Sequence, residues 1–452
     1  MATSGWNRVM VVGAGRSGLA LCRHFRARGA QVRLSDRRSE GEIQHLEELR
    51  ALGVELDLGG HSEALFLAAD LIALSPGVPP EVPAVAAARA AGIPVLGEIE
   101  LAARQLSAPF IGITGTNGKS TTTTLMGEIF RAWGKRAFVG GNIGVPLTEA
   151  LAGPAPDYLV VELSSFQLET VERLHPGYAL LLNLTQDHLD RYADMHSYIE
   201  AKMHLFDRME GQDVAVLNAD DPLVAALAPR IRCRILWFSS TRELERGMGF
   251  SGGKIRWRFE GQACDFDPSL LRLRGRHNLE NVMAALIPPL LEGCPPQLAF
   301  EAARDFGGLP HRMVPVRTLG GVVWYNDSKG TNVGSVVKSL EGLEGPVTLI
   351  AGGKDKGGDF SVLEAHVRQR VRHLILIGEA AGRMEKALGH LCDTRVLKAL
   401  PEAVELAARL TEPGGSVLFS PGGSSFDQYR SFEQRGDHFE ALVRALPPLE
   451  GR

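Results

Sequence analysis

Ile113-Thr114-Gly115-Thr116-Asn117-Gly118-Lys119-Ser120-Thr121 lies between an apolar Pro109-Phe-Ile-Gly-Ile run and a helical stretch, Thr121-Thr-Thr-Thr-Leu-Met-Gly-Glu-Ile-Phe130. A strand that enters a glycine turn and opens a helix builds an anion cradle, because backbone N–H groups and the positive helix end face one point. Lys119 adds a charge there, and Ser120 offers a hydroxyl to Mg²⁺. The spacing departs from G-x-x-x-x-G-K-[ST], which requires glycine at 113; here the residue is Ile113, with glycines at 112 and 115. The stretch therefore predicts an ATP phosphate site, in residues Gly115, Thr116, Asn117, Gly118, Lys119, Ser120 and Thr121, and points away from ordinary GTPases and motor ATPases. A chance glycine–lysine turn would not need both a strand before it and a helix after it.

Working outward, 452 residues allow about three domains of ~150 residues. The formal net charge is −4 and no basic tract stands out, which argues against a nucleic-acid partner. Five cysteines, at 22, 233, 264, 294 and 392, show no CxxC pairing, as expected for a reducing cytoplasm without a zinc site. The Val9-Met-Val-Val12 run is too short for a signal peptide, and no stretch approaches the ~20 apolar residues of a membrane span. A soluble cytoplasmic protein is expected.

Three βα blocks follow. The first reads Arg8-Val-Met-Val-Val-Gly13-Ala-Gly15-Arg16-Ser17-Gly18, then an apolar-periodic helix, a Gln31-Val-Arg-Leu strand and Asp36. This is the dinucleotide fingerprint G-x-G-x-x-G with an acid about 20 residues on, and it says that a diphosphate sits on a helix start without saying whose. Strands are expected at 70–75 and 93–96. The second block carries the cradle, Gly140-Gly-Asn142-Ile-Gly144, and strands at 158–162, 178–183, 214–218 and 234–238, with short strands and turns over 245–275. The third, after Gly307-Gly-Leu-Pro310, alternates helices with strands at 322–325, 347–351, 373–377, 394–397 and 416–420, which predicts a parallel, doubly wound sheet. Its polar clusters follow strands, where such sheets bind ligands.

Several groups are candidates for chemistry. Glu162 ends an apolar strand, placed like an acidic metal ligand beside a phosphate cradle, or else like a helix N-terminal acid. In Asn183-Leu-Thr-Gln-Asp187-His188-Leu-Asp190-Arg191-Tyr192, His188 could bind a second Mg²⁺, orient a phosphate or act as a base. Lys202, on a helix over 195–206, reads by itself as a solvated lysine. Asn278 and Asn281 could hydrogen-bond an adenine edge, with a helix cap as the alternative for Asn278. Arg312, at a domain junction, could clamp phosphates or pair with a surface acid.

Taken in this order, the clusters resemble the Mur ligase family of ATP-dependent amide-forming enzymes, over the whole chain. Gly112-Ile-Thr-Gly-Thr-Asn-Gly-Lys-Ser120 is that family's signature. Val161-Glu-Leu-Ser-Ser-Phe-Gln-Leu-Glu169, Asp187-His-Leu-Asp-Arg-Tyr192, Asn326-Asp-Ser-Lys-Gly-Thr-Asn332 and Ser420-Pro-Gly-Gly-Ser-Ser-Phe-Asp-Gln-Tyr-Arg-Ser-Phe-Glu-Gln-Arg-Gly436 extend it. The last run is most similar to the branch that adds D-glutamate, and the Asp-Asn-Pro-Arg motif of the diaminopimelate-adding branch does not occur.

The resemblance implies an α/β fold of three domains: a Rossmann-like one over 1–107, a P-loop-type ATPase over 108–308 and a second Rossmann-like one over 309–452. It implies that the chain joins D-glutamate to UDP-N-acetylmuramoyl-L-alanine through an acyl phosphate, releasing ADP and phosphate for peptidoglycan, as a cytoplasmic monomer with no nucleic-acid or membrane partner. Gly13, Gly15, Arg16, Ser17, Gly18, Asp36, Arg37, Ser75 and Asn142 would then hold the UDP substrate. Lys119, Ser120 and Glu162 would serve ATP and Mg²⁺, with His188 and a carbamylated Lys202 on a second Mg²⁺. Asn278, Asn281 and Asp327 would face adenosine, Arg312 and Lys329 its phosphates, and Thr331, Lys356, Ser425 and Phe432 D-glutamate. Gly330, where alanine is common, departs from the pattern. Rivals are a family member with another amino acid or a folate substrate, a nucleotide-driven switch, and an NAD-dependent oxidoreductase using the first block alone.

Overall fold

A computed structural model describes residues 5–43, 45–187, 191–355 and 357–447. The first sheet holds β1 (Arg8–Val12), β2 (Gln31–Asp36), β3 (Glu55–Leu58), β4 (Leu71–Leu74) and β5 (Val95–Gly97), all parallel in the order 3-2-1-4-5. Val9 and Val11 pack on one face with Leu21, Phe25 and Leu34, while Met10 and Val12 pack on the other with Phe66, Ile72 and Val85. Burial on both faces is why β1 reads as an unbroken apolar run. The chain leaves β1 for β2 on one side and later returns to β4 on the other, which opens a crevice after β1.

The second sheet contains β6 (Phe110–Thr114), β7 (Ala137–Gly141), β8 (Tyr158–Glu162), β9 (Tyr178–Leu181), β10 (Val214–Asn218) and β11 (Arg234–Phe238), extended by β12 (Gly247–Ser251), β13 (Lys254–Phe259) and β14 (Gln262–Phe266). Its order is 14-13-12-11-10-9-6-8-7. The two pairings among β12, β13 and β14 are antiparallel, so the glycine- and charge-rich passage is a meander rather than a βα unit. Among the described residues, no helix is long and apolar enough to cross a membrane.

The third sheet orders β15 (Val314–Leu319), β16 (Val322–Asn326), β20 (Ser416–Gly422), β17 (Val347–Gly352), β18 (Val371–Ile377) and β19 (Asp393–Val396) as 15-16-20-17-18-19. The expectation of a wholly parallel sheet needs one correction: β15 runs antiparallel to β16. Gly320 and Gly321, at φ 56° and 77°, make the two-residue turn between them, a geometry that requires positive φ at both positions. Pro315 and Arg317 interrupt the apolar pattern of β15, which hid it in the sequence. Ile350, Ile375 and Phe419 pack on one face, and Leu349, Leu374 and Leu418 on the other.

By contact density the chain forms two compact units. One comprises the chain up to Asn183 with Tyr198–Pro268 and Glu280–Ala303; the other comprises Leu184–Ser197, Ser269–Leu279 and the chain from Arg304. Within the first unit, two buried acids at the end of the first block grip the second. Glu100 accepts the N–H groups of Glu172, Arg173 and Leu174 at 3.0–3.2 Å, and Glu98 accepts the Thr148 amide and hydroxyl at 2.6 Å each.

Candidate functional site

The cradle follows from two glycines. Gly115 has φ 145° and Gly118 φ 86°, conformations that L side chains rarely adopt. Gly118 precedes the helix Lys119–Ala132, whose first internal bond is Thr122 N–H to Gly118 O at 3.0 Å. Lys119, Ser120 and Thr121 thus form the first turn of the helix, at its positive end, where an anion is favoured. A Cβ on Gly118 would lie 2.2 Å from Asn281 Oδ1, so Asn281 rests directly on the turn. Asn183 clamps the other end: its carbonyl accepts Thr116 N–H at 2.9 Å, its Oδ1 accepts Asn117 N–H at 2.8 Å, and its Nδ2 donates to Asn117 O at 3.0 Å. The amides of Thr116 and Asn117 are thus committed to shaping the loop. Lys119 Nζ donates to Gly115 O and Thr116 O at 3.0 and 2.8 Å, curled over the loop it would leave to meet a phosphate.

Glu162 closes β8 and is 2% exposed. Asn142 Nδ2 donates to its Oε1 at 2.7 Å, whereas its Oε2 is buried with no hydrogen-bond partner among the described residues. An orphaned carboxylate oxygen costs free energy unless something outside the chain meets it, and a divalent cation is the matching chemistry. No group of three or more carboxylate, imidazole or thiolate side chains forms a cage among the described residues. A single carboxylate is within what Mg²⁺ takes, since it keeps several waters and is completed by substrate phosphates.

Lys202 is not the solvated lysine that its sequence context suggested: it is 2% exposed. Its Nζ donates to Gly115 O at 3.0 Å and lies 4.5 Å from the Tyr198 ring centre, while the Tyr198 hydroxyl sits 3.2 Å from Thr116 Oγ1. The lysine therefore reaches the back of the cradle, a position no local pattern indicates. His188 lies outside the described residues, and so does Lys356.

In the first block, Gly18 permits close packing, since a Cβ there would stand 1.9 Å from Gly13 O. Ser75 Oγ donates to that same carbonyl at 3.0 Å, and the space around a Cβ at Gly15 is open. Arg16 Nη1 donates to Gly144 O at 3.1 Å, which brings the Asn142 loop to the Gly13–Gly18 turn; Ser17 is half-buried beside it. Asp36 turns out to be a strut of that turn. Its Oδ2 accepts Ala14 N–H and Arg38 Nη2 at 2.7 Å each, and its Oδ1 accepts Arg38 N–H and Nε at 2.9 and 3.0 Å. Burial works against its charge, but these donors outweigh it and hold the carboxyl down to about 2. With both oxygens occupied, Asp36 is not presented as the ribose acid of an NAD site. Arg37, its expected companion, is exposed, and Arg38 takes that place.

The second unit gathers the remaining candidates. Asn278, in the first turn of the helix Arg276–Leu291, donates through Nδ2 to Arg274 O at 2.8 Å and so ties down the turn before that helix. Arg312 sits between His311 (φ 59°) and Met313 (φ 51°), two non-glycine residues in the left-handed region. His311 is held by Asn326 Nδ2 at 2.9 Å, and Gly436 gives its ring room. Asp327, expected beside adenosine, is 2% exposed and accepts Ser420 Oγ at 2.6 Å, Ser339 Oγ at 2.7 Å and Met313 N–H at 3.3 Å. Burial pushes its carboxyl up despite those donors. In this conformation it anchors the Arg312 turn from below. A Cβ at Gly330 would lie 2.6 Å from Asp327 Oδ2, which accounts for glycine at that departure from the family pattern.

Lys329 Nζ stacks 5.4 Å from the Phe432 ring centre, and Thr331 N–H donates to Lys329 O at 2.9 Å. Ser425 is buried and its carbonyl accepts Tyr429 N–H at 2.8 Å. Arg435, given no role on sequence grounds, is 2% exposed and binds Ser328 O, Gly423 O and Ser424 O at 2.8–3.2 Å. It thereby joins the Asp327–Thr331 and Gly422–Ser425 segments.

Residues 7–97 match the Mur ligase MurD-like N-terminal domain, 113–288 the Mur ligase middle domain and 311–423 the Mur ligase glutamate ligase domain. The chain belongs to the Mur ligase family. The UDP-N-acetylmuramoylalanine–D-glutamate ligase of Syntrophotalea carbinolica is 57% identical to it over 448 residues, 99% of either chain. The ligase of the same name from Geotalea uraniireducens is 52% identical over 447 residues, 98% of this chain and 99% of its own. Among solved structures, MurF from Acinetobacter baumannii superposes with a TM-score of 0.64 at 15% identity, covering 96% of this chain and 93% of its own. UDP-N-acetylmuramate-alanine ligase MurC from Thermotoga maritima gives 0.60 at 18% identity, covering 97% and 99%. At those identities the likeness bears on the fold, three α/β domains with the ATPase in the middle.

Proposed function

We propose that this chain is an ATP-dependent ligase that joins D-glutamate to UDP-N-acetylmuramoyl-L-alanine, working as a monomer in the cytoplasm on small-molecule substrates. One observation carries the reading: the 57% identity, end to end, with a ligase of that name. On this reading the three domains span 1–107, 108–308 and 309–452. The Gly13–Gly18 turn with Arg16, Ser17, Ser75 and Asn142 holds the UDP-sugar, and Asp36 stiffens the turn. Lys119 and the helix start hold the ATP phosphates, and Asn281 packs where the nucleotide meets the turn. Ser120 and Glu162 would hold Mg²⁺, with His188 and a carbamylated Lys202 as ligands of a second ion. Arg312 and Lys329 receive phosphate charge, Asn278 and Asp327 support the adenosine side, and Thr331, Lys356, Ser425 and Phe432 receive D-glutamate.

The chemistry requires this arrangement. Hydroxide is too poor a leaving group for direct amide formation, so the alanyl carboxylate attacks the γ-phosphorus of ATP, and the bond to the β-bridging oxygen breaks with its electrons going to ADP. The D-glutamate amine then attacks the acyl carbonyl, loses a proton, and the tetrahedral intermediate expels phosphate. Bound Mg²⁺ would neutralise the anions that must approach one another. The chain's own part is to aim the amides of residues 119–121 and the Lys119 ammonium at the charge that develops on the transferred phosphoryl group. Phosphate release is the assay. It should require UDP-N-acetylmuramoyl-L-alanine and D-glutamate together, with L-glutamate, L-lysine and diaminopimelate inactive. Equal release with another amino acid would reassign the substrate, and release with none would leave only an ATPase.

A further inference from the structure

The first block contains a second polar cluster, at the carboxyl ends of β2 and β3, that the reading above does not use. Ser35 Oγ lies 2.8 Å from Asp57 Oδ2, 2.8 Å from His61 Nδ1 and 3.2 Å from Gly60 O. Asp57 also accepts the Ser62 hydroxyl at 2.6 Å and the Ser62 N–H at 3.0 Å. An ionised carboxylate and a backbone carbonyl only accept, so the single Ser35 hydrogen goes to Asp57 or to Gly60 O and not to His61. The Ser35 oxygen then has only lone pairs to offer His61, and Nδ1 must carry the proton. In a neutral imidazole with Nδ1–H, Nε2 is an acceptor. Nε2 has no hydrogen-bond partner among the described residues, and the ring is held edge-on to the buried Phe66 at 5.9 Å between centres. The chain has thus built, at a half-buried position, one rigid acceptor directed away from its own cluster.

The sheet says what would meet it. A diphosphate on the turn after β1 leaves the nucleoside to run across the ends of β2 and β3, two strand spacings or about 10 Å away. Asp36, at the end of β2, cannot read the base because Ala14 and Arg38 occupy both of its oxygens. Two bonds from Gly59 N–H, to Asp36 O at 3.0 Å and Arg38 O at 2.9 Å, hold the β3–His61 connection against the end of β2. We propose that His61 is the base-reading residue of the nucleotide site, its Nε2 accepting the N3–H of uracil, with Ser35 and Asp57 as positioning residues that fix the tautomer. Cytosine presents a lone pair at N3, so the same acceptor rejects it.

This deepens the assignment of the first block to a UDP-sugar and rests on it. The test is calorimetric binding of UDP and CDP to the full chain, with KM measured for UDP-N-acetylmuramoyl-L-alanine and for ATP. His61→Phe keeps the contact with Phe66 but removes Nε2, and it should weaken UDP roughly tenfold, about 1.4 kcal/mol, while leaving CDP unchanged. The KM of the UDP-sugar should rise and that of ATP should stay. His61→Gln, whose amide reaches the Nε2 position, should recover part of the loss, and His61→Asn, which imitates only Nδ1, should not. Equal UDP affinity in wild type and His61→Phe, or equal losses for UDP and CDP, would overturn this inference alone. Wild-type protein that bound no UDP would overturn it together with the UDP-sugar assignment.

Discussion

Gly118→Ala isolates how the Gly115–Lys119 turn, the proposed ATP cradle, is built. The substitution meets two separate costs. Holding an alanine near φ 86° costs roughly 1–2 kcal/mol. Its Cβ would also stand 2.2 Å from Asn281 Oδ1, far inside van der Waals contact, and relieving such overpacking costs typically about 1–3 kcal/mol. Asn281 is 5% exposed on the helix Arg276–Leu291, so it has little room to swing aside. The total is about 2–5 kcal/mol, and only the second part depends on Asn281. Removing that side chain as well should therefore return about 1–3 kcal/mol, leaving the backbone cost in place. Urea unfolding of the wild type, Gly118→Ala, Asn281→Ala and the double variant gives the coupling directly, provided the slopes agree. ADP affinity measured in parallel should fall in Gly118→Ala and partly recover in the double variant. Strictly additive unfolding energies would refute the packing of Asn281 on the turn.

Two further outcomes follow from the same geometry. Lys202→Met, which keeps the volume but removes the amine, and Lys202→Ala should each lose activity on the order of a hundredfold or more. Short carboxylic acids should partly restore only the alanine variant if a carbamate is the working group; near-normal turnover in either variant would exclude a role at the metal. Asp36→Asn tests the strut under the Gly13–Gly18 turn. The folded carboxyl, at about 2 against 3.8 in the ordinary state, stabilises the chain above pH 3.8 and loses that contribution as pH falls through about 2. The drop corresponds to about 2 kcal/mol, so wild type and variant should differ by that amount at neutral pH and converge in acid. A difference that stayed constant across that range would mean that Asp36 acts through shape and not through charge.

The sequence by itself determined the parts whose physics is local. Glycines at 115 and 118 before Lys119, and at 13, 15 and 18 after an apolar strand, fix backbone conformations and helix starts within a few residues, so both strand–turn–helix units were legible. Strands buried on both faces, such as β1 and β17, announced themselves as continuous apolar runs. The edge strands β3 and β15 did not: they draw their order from a neighbour's ladder, which no window along the chain contains.

Tertiary structure alone decided what each charged side chain is used for. Lys202 looks solvated on its helix, yet the fold places its amine at Gly115 O, 87 residues away along the chain. Asp36 looks like a ligand acid, yet Ala14 and Arg38 consume it, while His61, which no motif marks, is left with an acceptor to spare. The physical reason is that a buried polar atom must find a partner. Which partner it finds depends on the segments the fold brings within about 3 Å, and sequence spacing carries no record of that.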